Sequence, residues 1–279
     1  MDLTNADIRL MAFDLDGTLL NAAKELTPRN RSALERAADK GIQIVPTTGR
    51  LFQAIPEEIR AFPFLRYAIT INGAAVFDTL TGDNLYRAEI PLENAIGIMS
   101  YLDQFPVIYD CYKDNGGLMT RSMWDQAEVF APNAYYVRSI RTMRKPVPEL
   151  KEFLLQQGGS VQKIQLFSTD PALRTALLKE LPLRFDGLSV SSSVERNVEI
   201  NHKDANKGAA LMGLASRLGL SRSQVMSFGD GLNDISMIRE AGVGVAMQNA
   251  VEEVKSAADL ITGSCEESGV AQVIEQLPD

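Results

Sequence analysis

Apolar positions in the first eighty residues come in two alternating rhythms. Short runs with little polar interruption, at 10–13 (LMAF), at Ile42, Ile44 and Val45, and at 67–71, read as buried strands. Between them lie helical segments. One is opened by Thr27 as N-cap with Pro28 at the first helical position and stops near Gly41; a second covers 51–61. Such alternation predicts a parallel sheet with helices on both faces.

The rhythm returns at the end of the chain, with helices over 205–218, 233–240 and 251–258 and strands over 225–228, 243–247 and 260–262. Both ends therefore build one sheet. The middle, 83–196, is less regular. Its β-like runs at 107–112, 135–137 and 163–168, and its helices at 94–105, 148–156 and 172–181, predict a separate α+β domain inserted into the first. The expected division is 1–82 with 197–279 as core, and 83–196 as insert.

Composition narrows the chemistry. The chain has 279 residues, 28 Lys and Arg against 36 Asp and Glu, and net charge -8, which argues against a surface that grips nucleic acid or anionic lipid. Asp7, Arg9, Asp14 and Asp16 interrupt the first residues where a signal peptide would be apolar, and no run of roughly eighteen apolar residues occurs. A soluble, cytoplasmic protein is expected. Cys111 and Cys265 show no paired spacing and read as buried thiols of a reducing compartment. With one histidine, His202, a Ser/His/Asp triad or a multi-histidine zinc site would hang on a single ring. Carboxylates must do the chemistry.

In an open α/β sheet, ligands bind beyond the carboxyl ends of the strands. Four features fall at such ends: Asp14 and Asp16; Thr47, Thr48 and Gly49; Asn72 and Gly73; and GDGLND at 229–234. Asp14, Asp16, Asp230 and Asp234 would then crowd one crevice, an all-oxygen set that selects magnesium. Lys207, at the start of a helix, is the well-placed cation. Metal, lysine and the amides after Thr48 around a carboxylate suit phosphoryl transfer. Asp14, the deeper of the pair, is assigned as the nucleophile that forms an aspartyl-phosphate, and Asp16 as acid and then base.

The motifs DLDGT (14–18), TGR (48–50), NGA (72–74), KG (207–208) and GDGLND, followed by GVAM (244–247), NA (249–250) and SGVA (268–271), run in order along nearly the whole chain. In them the sequence resembles the haloacid dehalogenase superfamily, in its Cof-like sugar-phosphate phosphatase branch. The resemblance implies a Rossmann-like core with an α/β cap inserted after the third strand. It implies Asp14 as nucleophile, Asp16 as acid/base, Thr48 and Lys207 on the phosphate, and Mg2+ held by Asp14, the main-chain carbonyl of Asp16, and Asp230. Asp234 would support the metal through water, Asn233 would steady the site, and Asn72 and Gly73 would lie where cap and core meet the substrate.

Rival readings of these motifs fail on single residues. An EF-hand over 14–25 has its glycine fourth where it should be sixth. A dinucleotide fingerprint at 229–234 would place Asp234 against a pyrophosphate. Arg50 could bridge to the insert or touch substrate. Arg138, Arg141, Arg144 and Lys145 could attract an anion, although such a run is ordinarily a solvated face. AMQNA at 246–250 departs from relatives, which often carry glycine before the asparagine, and His202 reads as a surface or rim residue.

The expectation is a Mg2+-dependent phosphatase acting on a small phosphorylated metabolite, a sugar phosphate first and pyridoxal phosphate or flavin mononucleotide next. A phosphomutase and a non-catalytic phospho-ligand sensor are the alternatives. Substrate identity and oligomeric state are not written in the spacing.

Overall fold

The computed structural model describes residues 3–192 and 194–278. The chain divides into two compact units: Ala88–Ala205, and the segments on either side of it, up to Arg87 and from Asn206 onward. Among the described residues no helix is long and apolar enough to cross a membrane.

The flanking unit is built on a five-stranded, all-parallel sheet in the order Leu260–Ile261, Val243–Ala246, Val225–Gly229, Leu10–Phe13, Gln43–Pro46. The run Tyr67–Thr70 meets it through a single parallel bridge, Thr47 to Ile69, and otherwise pairs antiparallel with Ala75–Asp78, which in turn pairs with Asn84–Arg87. The third strand thus joins a small antiparallel sheet instead of extending the parallel one at full length.

Alternation along Leu10–Phe13 sorts the core into two layers. Met11 and Phe13 face one side, with Leu34 and Ala37 of the Pro28–Asp39 helix and Val270 and Ile274 of the Gly269–Ile274 helix; Leu10 and Ala12 face the other, with Ala210, Leu211 and Leu214 of the Lys207–Arg217 helix. The same period carries Asp14 to the side of that second helix, whose first residue is Lys207. Register aligns the strand ends: Phe13 pairs with Phe228 and with Pro46, and the Phe13 and Phe228 rings stack at 4.9 Å. Residues just beyond these three positions therefore emerge together.

Thr27 caps the first helix by accepting from the Asn30 amide, and Pro28 occupies its first turn. The helix expected over 51–61 is broken into a 3-10 turn, Phe52–Ala54, and one α turn, Glu57–Arg60. Pro56 has no amide to donate and pushes Ile55 into an extended conformation.

The Ala88–Ala205 unit has a six-stranded sheet in the order Leu188–Ser191, Asn197–His202, Lys163–Ser168, Val107–Lys113, Gly116–Thr120, Arg144–Val147, antiparallel except for the last pair. The helices Leu92–Leu102, Leu150–Gln157 and Pro171–Arg184 supply one core with it, and Ala127, Ala131 and Ile140 pack with Ile108, Met119 and Phe167 in another.

The strand expected at 135–137 is instead part of the helix Ala134–Met143. Asn133 caps it by accepting from the Tyr136 amide, and Tyr136, Val137 and Ile140 pack at helical spacing in that second core, which outweighs the β preference of Tyr-Tyr-Val. The expected basic run is dispersed. Arg141 is bidentate on Glu128 and lies over Trp124, while Arg144 is buried against Asp110 and Tyr112.

Candidate active site

Asp14 is the first residue past its strand, its amide still donating to the Phe228 carbonyl at 3.0 Å. Its side chain is nearly buried and its Oδ1 accepts from Lys207 Nζ at 2.5 Å. Lys207 is fully buried at the first turn of its helix, where Asn206 caps by accepting from the Ala209 amide; the same Nζ donates to Asp234 Oδ1 at 2.6 Å. Asp234 Oδ2 accepts from the amides of Asp230 and Gly231, both at 2.9 Å. Asp234 therefore shapes the loop that carries Asp230. The Asp230 side chain accepts from Thr18 Oγ1 at 2.7 Å through Oδ1.

One carboxylate oxygen each from Asp14, Asp230 and Asp234 lie within 4.8 Å of one another. Three acids against one lysine leave the group short of positive charge, and the acidities show it. Burial pushes the Asp14 carboxyl up to about 7, with Asp234 and Asp230 adding to the rise and Lys207 opposing it. Burial likewise lifts Asp230 to about 6, against its bond from Thr18. Lys207 is pulled down by its own burial but held above its ordinary value by Asp14 and Asp234.

Asp16 stands apart from this group. Its carboxylate receives a bidentate pair from Arg50, Nε to Oδ2 at 2.8 Å and Nη2 to Oδ1 at 2.6 Å, and a further bond from Lys24 Nζ at 2.8 Å. Partial burial raises its pKa, but the two cations outweigh that and hold Asp16 below the usual carboxylate range. Lys207 is thus not the only cation at this edge of the sheet, and Arg50 finds a carboxylate of its own loop cluster as partner.

The remaining candidates form the opposite lip. Thr48 is buried; its hydroxyl accepts from the Arg50 amide at 3.2 Å and its carbonyl from the Asn72 amide at 3.1 Å. No helix starts directly behind it, so the anion-binding helix end expected there is replaced by loop amides. Ile71, Asn72 and Gly73 all take positive φ, and Asn72 Oδ1 accepts from Asn233 Nδ2 at 3.2 Å and lies against Gly49. A Cβ on Gly73 would collide with the Asn206 carbonyl, so glycine lets this loop approach the start of the Lys207 helix. Gly17, at φ +93, does the same beside Asp230. His202 lies in the Ala88–Ala205 unit, where its Nδ1 accepts from the Asp204 amide.

Four contributors escaped the sequence reading. Thr18 and Asn206 carried a signal, the one inside DLDGT and the other an asparagine directly before a helix. Asn249 donates to the Gly17 carbonyl at 2.8 Å and accepts from the Cys265 amide at 3.0 Å, so the AMQNA departure leaves a brace of the Asp16–Gly17 turn in place. Lys24, at φ +65 in a surface turn, offered no sequence signal.

Comparison with known proteins gives the family. Residues 11–274 match the family model of haloacid dehalogenase-like hydrolases. The chain is 32% identical over 272 residues to the 5-amino-6-(5-phospho-D-ribitylamino)uracil phosphatase YcsE of Bacillus subtilis, covering 97% of this chain and 96% of that one. It is 31% identical to the pyridoxal phosphate phosphatase YbhA of Escherichia coli, covering 95% and 97%. A solved structure of a HAD subclass IIB sugar phosphatase superposes with a TM-score of 0.78 at 25% identity, covering 96% and 98%. With the parallel sheet and the interposed α+β unit already described, these matches place the chain in the haloacid dehalogenase-like hydrolase family.

Proposed function

We propose that this chain is a phosphatase that hydrolyses phosphomonoesters of small metabolites through an aspartyl-phosphate on Asp14, with Mg2+ as cofactor. The observation that carries the reading is the placement of Asp14, a nearly buried carboxylate held by one lysine at the carboxyl end of an inner strand of a parallel sheet and crowded by two further acids.

The residues present fit a magnesium ion. The donor set is all oxygen, its charge is uncompensated, and Asp14 Oδ2 and Asp230 Oδ2 have no hydrogen-bond donor among the described residues. Asp14, Asp230 and the main-chain carbonyl of Asp16 would hold the ion, with Asp234 behind them. Bound there, it supplies charge neutralisation for the transferred phosphoryl oxygens.

The protein's own groups then act in two halves. An Asp14 oxygen bonds to phosphorus as the ester P–O bond breaks, and the leaving oxygen takes a proton from Asp16, which returns to the ionised form that Arg50 and Lys24 favour. Water next attacks phosphorus and gives its proton to Asp16; the acyl-phosphate P–O bond breaks, and Asp14 is restored as a carboxylate. Lys207 and the Thr48 hydroxyl meet the phosphoryl oxygens.

The three relatives named above act, by their names, on 5-amino-6-(5-phospho-D-ribitylamino)uracil, on pyridoxal phosphate and on sugar phosphates. A sugar phosphate is the first substrate class for this chain, and phosphorylated cofactors are the next. Within this proposal the Ala88–Ala205 unit sets which alcohol is accepted. The test is phosphate release from a broad panel of phosphorylated metabolites with and without Mg2+. Turnover that needs the metal is expected; a folded protein inert on every member contradicts the reading.

A further inference from the structure

The carboxylate assigned as acid and base is also the one with the most elaborate support, and that support is not part of the phosphate or metal cluster. Arg50 meets Asp16 with two near-parallel bonds, the geometry in which a guanidinium fixes the plane of a carboxylate as well as its charge. The guanidinium is itself fixed: its remaining nitrogen, Nη1, donates to the Ala54 carbonyl at 2.8 Å, and its backbone is tied on one side to the Thr48 hydroxyl and on the other to the Ile71 amide. Its side chain is only 19% exposed, whereas Lys24, the second partner of Asp16, is 49% exposed and bonds through one nitrogen. Arg50 is therefore the buried, doubly bonded anchor and Lys24 the exposed, singly bonded partner.

We infer that Arg50 is a positioning residue for Asp16, setting the direction from which the carboxyl group delivers its proton to the leaving oxygen, and that it is not a substrate contact. This deepens the proposed reaction and rests on it. Proton delivery matters most when the leaving group is a poor one: an alkyl alcohol leaving as alkoxide needs the proton as the P–O bond breaks, whereas p-nitrophenolate departs without it. The parameter kcat/KM reports the first half-reaction, up to ester cleavage, so it separates these cases even where both substrates share a slow hydrolysis of the phosphoenzyme.

The experiment measures kcat/KM for p-nitrophenyl phosphate and for an alkyl phosphate that the wild type hydrolyses, in the wild type, Arg50→Gln, Arg50→Lys, Asp16→Asn and the Arg50→Gln/Asp16→Asn double variant, with thermal melting as the check on folding. In Arg50→Gln the alkyl-to-aryl ratio should fall by about tenfold or more, within the scale of one general acid. Arg50→Lys keeps the charge but loses the fork, so its ratio should fall as well. The double variant should have the same ratio as Asp16→Asn alone, because a residue that acts through another adds nothing once that other is gone.

Equal losses on both esters in Arg50→Gln, or a double variant whose ratio drops below that of Asp16→Asn, would overturn the assignment of Arg50. An Asp16→Asn variant with the wild-type ratio would instead overturn the acid role of Asp16 and, with it, the inference. A folded wild type that cleaves no member of the phosphomonoester panel, so that no alkyl substrate can be chosen, overturns the phosphatase reading itself.

Discussion

Both units of this protein bury charge in or beside a sheet, and they do so with opposite balance. In the Ala88–Ala205 unit, Arg144 meets Asp110 at 3.3 Å and Lys163 meets Glu199 at 2.9 Å, two cations against two anions, with the Tyr112 hydroxyl accepting from Arg144 at 2.7 Å. In the flanking unit, Lys207 alone faces Asp14, Asp230 and Asp234. A balanced buried network gains little from an added ion, whereas carboxylates in excess add to the rise in pKa that burial begins, and call for a cation. The comparison teaches that net imbalance, more than burial, marks the reactive place.

The largest expected effect is on that imbalance. Asp14→Asn should lower kcat by about 10⁴-fold or more, the scale reached when a nucleophile is removed, while a melting scan shows the protein still folded. Next comes the balanced network: Arg144→Met strands Asp110 and should destabilise the protein by about 3–5 kcal/mol in denaturant titration, most of it recovered when Asp110 is also made apolar. If the single change proved harmless, the network would not be the interdependent set described here.

A smaller effect is expected at the loop that approaches Lys207. Gly73→Ala sets a Cβ at φ +92 against the Asn206 carbonyl, and should cost about 1–3 kcal/mol and reduce turnover, since the lysine moves with its cap.

Smallest and most diagnostic is the dependence on pH. Asp14 and Asp230 carry raised pKa values, so the fold binds their protons more tightly than the unfolded chain does. Their contribution to stability is fully present below the ordinary carboxylate range, near pH 4, and is lost as pH rises through about 6 and about 7. Asp16 acts with the opposite sign, and its contribution is lost as pH falls. Magnesium should cancel the loss from Asp14 and Asp230. The gain in melting temperature on adding Mg2+ should therefore grow from pH 5 to pH 8, and a flat gain would count against ligation by these two acids.

How much of this was legible beforehand varies with what each residue depends on. The strands at 10–13 and 225–228 announced themselves because a strand buried on both faces must be apolar throughout, and the motif residues follow directly from their ends. The two layers of core were implied by period-two alternation, and that alternation also turns Asp14 toward Lys207.

What stayed hidden was set by long-range packing. Nothing in the spacing of Arg50 and Lys24 indicates that both converge on Asp16, because one reaches it across a loop and the other from a left-handed surface turn. Tyr135–Val137 reads as a strand from its β-branched and aromatic content, whereas its cap and a helical face that only the neighbouring strands reward make it helix. The split of the 51–61 helix is written in Pro56, which has no amide to donate.

The central claim is that phosphorus bonds to Asp14. Enzyme mixed with substrate and Mg2+, quenched in acid within a turnover, digested and analysed by mass spectrometry should carry a phosphoryl group on the peptide containing Asp14, and the label should vanish in Asp14→Asn. An unlabelled Asp14 in enzyme caught during active turnover, or a phosphoryl group on any other residue, would contradict it.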